Sequence, residues 1–148
     1  MPTSPAILIK SAAWRTSFPG YRPALQKAVV ATFRHAEVAP KALTIALSGD
    51  RAVQHLNRDF RGKDKPTNVL SFPADEPDYL GDVILAHGVV EREAKEQQKP
   101  FANHATHLVV HGVLHLLGYD HETDAEDAKK MESLEKRILA KLGIPNPY

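Results

Sequence analysis

Three histidines within eleven residues have the spacing of a metal site. His111 and His115 are four residues apart, and His121 follows six residues after the second. On a helix, side chains at i and i+4 lie on one face, about 6 Å apart along the axis. Gly118 can adopt a positive φ and end that helix, so that the chain turns and His121 returns to the other two. Three neutral imidazoles without a fourth protein ligand nearby are typical of a catalytic metal site with an open position.

The residue after the first histidine bears on the chemistry that such a metal would serve. His-x3-His-x2-Gly-x2-His is also the spacing of the zinc site of metzincin proteases, in which a glutamate follows the first histidine and acts as the general base. In this chain the corresponding residue is Gly112. The motif therefore predicts metal binding and argues against peptide hydrolysis by that mechanism.

The same predicted helix carries two more histidines. His104 and His107 precede His111 by seven and four residues, which continues its stripe along one helix face. We predict that both are ordinary polar residues on a partly exposed face, and not ligands or substrate-lining groups. No role is assigned to three further histidines that have no partner in the pattern: His35, His55 and His87.

Length and composition limit the class of protein. A chain of 148 residues with 43% apolar and 25% charged residues is typical of one globular domain, which we place over residues 1–148. The absence of cysteine excludes disulfides and thiolate ligands, so a metal would be bound by histidine or carboxylate. A net charge of +1 leaves binding of a polyanion to a local patch. Without an apolar run of about 18 residues or a signal-peptide pattern, the expected location is cytoplasmic.

The densest basic stretch contains Arg58, Arg61, Lys63 and Lys65, and it ends in Pro-Thr-Asn directly before a predicted strand. Glycine and proline within it predict a loop. A guanidinium near an open metal site can pair with a phosphate through two hydrogen bonds and stabilise charge that develops on it. Arg61 is therefore the residue that we predict to be catalytic.

Hydrophobic periodicity and turn residues predict an α/β fold. A mixed, mostly parallel sheet of four strands is expected to pack with about five helices, and the central helix bears the first two metal ligands. Asp50 and either Thr123 or Asp124 are predicted to cap helices. The strands are predicted at residues 6–10, 42–47, 69–73 and 80–86, and the helices at about 21–35, 51–60, 88–98, 101–117 and 124–142.

Several of these stretches resemble one known family. The segment His-Gly-Val-Leu-His-Leu-Leu-Gly-Tyr-Asp-His at 111–121, together with residues 56–73 and 80–84, is similar to the YbeY family of bacterial metal-dependent endoribonucleases. The resemblance covers about residues 42–148. It implies a zincin-like fold and single-strand-specific cleavage of ribosomal RNA, in maturation of the 3′ end of the small-subunit RNA and in ribosome quality control.

The resemblance also implies roles for particular residues and partners. His111, His115 and His121 would bind one divalent metal ion, usually taken as Zn²⁺, and Arg61 matches the catalytic arginine of the family. The expected partners are ribosomal RNA and the small ribosomal subunit or its proteins, with neither membrane nor DNA among them.

These residues leave open which group accepts the proton of the attacking water or 2′-hydroxyl. Asp120, beside the last histidine, and Asp82, on the fourth strand, are candidates, although a structural hydrogen-bonding role suits both equally well. Attack by water and attack by the 2′-hydroxyl of the RNA both stay possible, and 2′,3′-cyclic phosphate ends would exclude the first. Two alternatives to the endoribonuclease hypothesis are a zinc metalloprotease-like hydrolase and a non-catalytic, ribosome-associated metal-binding protein.

Overall fold

The computed structural model describes residues 4–119 and 124–148, and within them a four-stranded sheet packs against six helices. The strands are β1 (Ala6–Ile9), β2 (Ala42–Ser48), β3 (Val69–Pro73) and β4 (Tyr79–Ala86). The helices are α1 (Ala13–Ser17), α2 (Tyr21–His35), α3 (Asp50–Arg61), α4 (His87–Glu96), α5 (Phe101–Leu116) and α6 (Ala125–Lys141). No helix in these two ranges is long and apolar enough to cross a membrane.

The sheet has the strand order β1-β2-β4-β3. β1 and β4 both run parallel to β2, and β3 runs antiparallel to β4. A short connection joins β3 to β4, which suits an antiparallel pair, whereas helices make each parallel crossover. The prediction of a mixed, mostly parallel sheet is therefore confirmed, and β3 lies at its edge.

The predicted elements agree with the structure to within about two residues, apart from one helix. The bounds of α2 and β3 match those predicted, and the others shift at their ends. α1 was not predicted, because five residues are too few to show helical periodicity. Its Trp14 is fully buried, and the indole Nε1 donates a hydrogen bond of 2.8 Å to the carbonyl of Ser48.

Side chains alternate across the sheet, and both faces are covered by helices. Ile45 and Val83 are register partners on one face and belong to the main core with residues of α2 and α5. On the other face, Leu70 and Ala86 pack with Val53 of α3. The period of two in a strand thus gives each central strand one helix layer on each side.

Helix α5 lies unusually close to the sheet at Gly112. The hydroxyl of Ser71 on β3 donates a 3.0 Å hydrogen bond to the carbonyl of Gly112. A Cβ at position 112 would lie 2.7 Å from Cγ1 of Val83 and 3.1 Å from Oγ of Ser71. Position 112 therefore faces the sheet and has no room for a side chain, least of all for the glutamate of a metzincin.

The two predicted helix caps have different outcomes. Asp124 caps α6, because its carboxylate accepts a hydrogen bond of 2.7 Å from the amide of Asp127, whereas Thr123 lies outside the described residues. Asp50 is wrong as the cap of α3, since it is the first residue of that helix. Its carboxylate instead accepts a 3.0 Å hydrogen bond from the amide of Val89 in the first turn of α4 and pairs with Arg92 at 3.1 Å.

Gly112→Ala is expected to destabilise the fold by about 1 kcal/mol. Alanine favours the helix by up to about 1 kcal/mol, but forcing a methyl group into a packed core typically costs about 1–3 kcal/mol. Val83 is fully buried and β-branched, so its methyl groups have few alternative positions. Urea unfolding of wild type, Gly112→Ala, Val83→Ala and the double variant would measure both the loss and the coupling. Equal or higher stability of Gly112→Ala, or additive effects in the cycle, would contradict the close contact.

Candidate active site

A cleft of about 1170 Å³ lies between the edge strand β3, helix α5 and helix α6. It also receives side chains from the end of α3, from the loop that follows it and from α4. Its polar lining residues include cations, imidazoles and carboxylates: Arg61, Lys63, Lys65, Lys99, His104, His107, His111, His115, Glu93, Glu132 and Glu135. Arg61 and the first two predicted metal ligands thus line one cavity.

Four histidines of α5 form a row along this cleft. The ring centroids of His104 and His107 are 6.3 Å apart, those of His107 and His111 6.4 Å, and those of His111 and His115 4.7 Å. The prediction of a partly exposed position is wrong for His104, whose side chain is only 4% exposed, whereas the side chain of His107 is 13% exposed, as a partly exposed position requires. α6 and the C-terminal segment cover the face of α5 that an isolated helix would present to solvent.

Glu135 of α6 is a fully buried carboxylate in contact with this row. Its Oε1 lies 2.7 Å from Nδ1 of His111 and 3.5 Å from Nε2 of His107. The hydroxyl of Tyr148 donates a hydrogen bond to Oε2. Burial raises the pKa of Glu135, but the neighbouring imidazoles of His107 and His111 and the hydroxyl of Tyr148 outweigh this effect and lower the pKa to about 2. The carboxylate is therefore ionised at neutral pH.

An ionised acceptor decides which nitrogen of His111 carries the proton. Because Oε1 of Glu135 can only accept, the short contact requires a hydrogen on Nδ1. In the neutral imidazole the lone pair is then on Nε2, which is the form that binds a metal. A carboxylate that holds a histidine in this way is a common partner of metal-binding imidazoles.

The sequence pattern did not single out Glu135, although it contained a signal. Buried residues of α6 include Met131, Leu134 and Ile138, and Glu135 follows Met131 by four residues and so belongs to the same helix face. An ionisable residue inside an apolar stripe is rarely buried without a partner. Its partner is on another helix, so that the sequence alone does not show it.

Arg61 is the last residue of α3 and not part of the loop as predicted. Gly62 ends the helix with φ 71°, and its amide and that of Lys63 bond to the carbonyls of Arg58 and Asn57 at 3.1 and 3.2 Å. The bond from Gly62 to Arg58, with Gly62 in the left-handed conformation, is that of an αL C-cap, which favours a residue tolerant of positive φ. The turn therefore fixes the backbone that carries the guanidinium.

The basic loop beyond Arg61 is held by a buried amide. Asn57 is only 3% exposed, and its Nδ2 donates a hydrogen bond of 2.9 Å to the carbonyl of Lys65. Lys63 and Lys65 line the cleft beside Arg61. From its charge alone, this loop would be expected to extend into solvent. The hydrogen bond from Asn57 instead anchors it to α3, with its cations beside the cleft.

His104 belongs to a second hydrogen-bond network, at the other end of the row of histidines. Its Nε2 lies 2.8 Å from Oε1 of Glu93 on α4, which also accepts a 3.0 Å hydrogen bond from Nδ2 of Asn68. Burial lowers the pKa of His104 more than Glu93 raises it, so the imidazole is neutral at neutral pH. These hydrogen bonds connect α5 through α4 to the start of β3.

The remaining predicted site residues are not all brought to the cleft. Asp82 follows Gly81 on β4 and precedes Val83, which faces α5, so Asp82 points to the opposite side of the sheet. There the hydroxyl of Tyr79 donates to its carboxylate. Asp120 and His121 lie outside the described residues. In the two described ranges, no group of three metal-binding side chains occurs.

An α/β fold with a cleft that combines adjacent imidazoles and a guanidinium indicates a hydrolase with an anionic substrate. Comparison with known proteins makes the assignment specific. A family model described as "Endoribonuclease YbeY" matches residues 10–143. Endoribonuclease YbeY of Bradyrhizobium sp. (strain BTAi1) is 44% identical, with 100% of this chain and 96% of the relative covered. The same enzyme of Rhodopseudomonas palustris (strain BisA53) is 45% identical, with 100% and 91% covered.

A solved structure agrees with the fold. The solution structure of TM1509 from Thermotoga maritima has a TM-score of 0.66 and 28% sequence identity, over 93% of this chain and 88% of that one. The chain therefore belongs to the YbeY family of endoribonucleases, and the predictions of its family and of its class as a hydrolase are confirmed.

Glu135→Leu is expected to weaken metal binding about 10- to 100-fold, the usual cost of losing a carboxylate that orients a histidine ligand. Leucine accepts no hydrogen bond, so the proton of His111 is no longer held on Nδ1. Glu135→Gln keeps an acceptor oxygen and is expected to lose less. Competition with a chromophoric chelator gives the affinity, and ¹⁵N shifts of the imidazole give the tautomer.

Glu132→Gln is the matched control, since Glu132 lines the same cleft from the same helix. Thermal melting of the metal-free variants separates a loss of affinity from a loss of fold. An unchanged affinity and an unchanged tautomer in Glu135→Leu would show that the carboxylate has only a packing role.

Proposed function

We propose that this chain is a metal-dependent endoribonuclease that cleaves single-stranded ribosomal RNA. The observation that supports this most strongly is that Arg61 and the pair His111 and His115 line the same cleft. The name of the family supports RNA as the substrate class.

His111, His115 and His121 would hold one divalent metal ion, for which we propose Zn²⁺. The chemistry of the described residues fits such an ion: the lone pair of His111 is directed to Nε2 by Glu135, and the ring of His115 is adjacent at 4.7 Å between centroids. When bound, the metal would polarise a phosphoryl oxygen and make a water molecule more acidic. An all-nitrogen ligand set also accepts other divalent transition metals.

The side chains of the cleft would bind and orient the phosphodiester. The guanidinium of Arg61 can pair with two oxygens of the scissile phosphate and offset the charge of the pentavalent transition state. Lys63, Lys65 and Lys99 line the cleft and would neutralise neighbouring phosphates of the strand. Attack by water and attack by the 2′-hydroxyl are both compatible with these residues.

The cellular role that we propose is the one implied by the family resemblance. It comprises maturation of the 3′ end of the small-subunit ribosomal RNA and ribosome quality control, with the small subunit or its proteins as partners. One domain over residues 1–148, a cytoplasmic location and the absence of membrane and DNA partners stay predictions.

A peptide substrate is not supported. Position 112, which carries the general base in metzincins, faces the sheet, where a Cβ would already collide with Val83. The metalloprotease alternative would therefore need a base from elsewhere in the chain.

His115→Ala is expected to lower the metal content and to abolish RNA cleavage, because one of three ligands is lost. Metal per chain by elemental analysis and cleavage of a single-stranded RNA substrate are the two readouts. His55→Ala is the control, since His55 is exposed on α3 and away from the cleft. Unchanged metal stoichiometry in His115→Ala would refute the proposed ligand set.

Arg61→Gln is expected to reduce kcat/KM on RNA about 10²-fold or more, the usual cost of losing one donor to a developing anion. Metal content and melting temperature should stay at the wild-type values. Arg58→Gln is the control, because Arg58 lies one helical turn earlier and is exposed and paired with Asp59 at 2.9 Å. Equal losses in the two variants would mean that Arg61 contributes only general positive charge.

A further inference from the structure

Phe60 is the most exposed of the large apolar side chains in the described part of the chain, at 71% of its surface. It directly precedes Arg61 at the end of α3 and lines the cleft. Its ring meets that of Phe72 on β3, with 5.5 Å between centroids and 62° between planes. Both rings therefore belong to one wall of the cavity that holds the proposed catalytic residues.

Packing in the core does not explain why a phenylalanine stands at position 60. Burying such a side chain is worth about 1.5–3 kcal/mol, which an exposed ring forfeits. The core contacts of α3 are made by Val53 and Leu56, which pack with Leu70 of the sheet. Phe72 also packs against this cluster, so it supports the Phe60 ring from one side, while 71% of the surface of Phe60 stays exposed.

The neighbours of the ring suggest what occupies that face. Arg61, Lys63 and Lys65 follow within five residues and line the same cavity. An aromatic face beside a track of cations is the pattern with which proteins bind single-stranded nucleic acid, the cations on the phosphates and the ring on a base. In a duplex both faces of a base are already stacked, so the ring selects an unpaired base.

We propose that Phe60, supported by Phe72, is a stacking subsite for one unpaired nucleobase of the RNA strand, next to the phosphate at Arg61. The inference rests on the proposed function and deepens it, because it gives the cleft a physical basis for preferring single strands. The bases stack irrespective of identity, so the subsite adds affinity without sequence preference.

Phe60→Leu tests the aromatic face while keeping an apolar side chain of similar size. We expect the Kd for a single-stranded RNA, measured by stopped-flow anisotropy before cleavage proceeds, to rise about 5- to 150-fold, the range for loss of one stacked base. The salt dependence of Kd should stay unchanged, because no charge is lost, whereas Arg61→Gln should reduce that slope by about one ion. Val38→Ala is the control, an exposed apolar position away from the cleft.

Phe60→Trp provides a direct signal. Trp14 is the only tryptophan of the chain and is fully buried, so it gives a constant background. We expect fluorescence of the new indole to fall when single-stranded RNA binds and to stay constant with a blunt RNA duplex.

The outcomes separate this inference from the function on which it rests. If wild type binds and cleaves RNA but Phe60→Leu binds equally well, or the Phe60→Trp signal does not respond to RNA, the subsite is refuted and the endoribonuclease assignment stands. If wild type itself does not bind RNA, the proposed function fails first.

Discussion

The rotational setting of α5 is the constraint on which the rest of the structure depends. Gly112 lets the helix backbone approach Val83 and accept a hydrogen bond from Ser71. Adjacent residues on a helix differ by about 100° around the axis. A rotation of α5 about its axis by one residue would therefore place an imidazole in the apolar core and an aliphatic side chain at the cleft. The missing side chain at one position thus keeps the whole row of histidines on the side where α6 and the loop after α3 can meet it.

The buried carboxylate of α6 has a cost that packing alone does not explain. Removing an ion from water costs several kcal/mol unless it is well paired, and an apolar residue of similar size is often at least as stabilising. The hydrogen bonds of Glu135 with His111 and Tyr148 offset part of this desolvation cost. Since Leu134 and Ile138 already pack the helix, the carboxylate makes more sense as a partner of the imidazoles than as a contribution to stability.

Much of the fold could be predicted from local patterns, and the missing parts share one physical cause. Strand alternation, helical stripes and turn residues located the four strands and five of the helices described. The spacing of His111 and His115 gave the correct shared face. What the patterns could not give were contacts between elements distant in sequence. The burial of His104, the pairing of Glu135 with His111 and the contact of the Asp50 carboxylate with another helix all depend on tertiary packing. The loop was predicted to begin at Arg61, but Gly62 ends the helix one residue later, so that Arg61 is the last residue of α3.

Strand β4 is covered on one side by the helix with the histidines and on the other by the helix that ends in Arg61. Val83 meets the first helix through Gly112, and Ala86, three residues later, packs with Val53 of the second. Asp50 additionally joins the start of α3 to α4, which begins where β4 ends. The helices that carry the proposed metal ligands and Arg61 are therefore both positioned against the same short strand. We expect a displacement of that strand to move both helices together, so that the distance between the imidazoles and the guanidinium changes less than the position of either group. A reaction in which two groups act on one phosphate depends on the distance between those groups more than on the position of either.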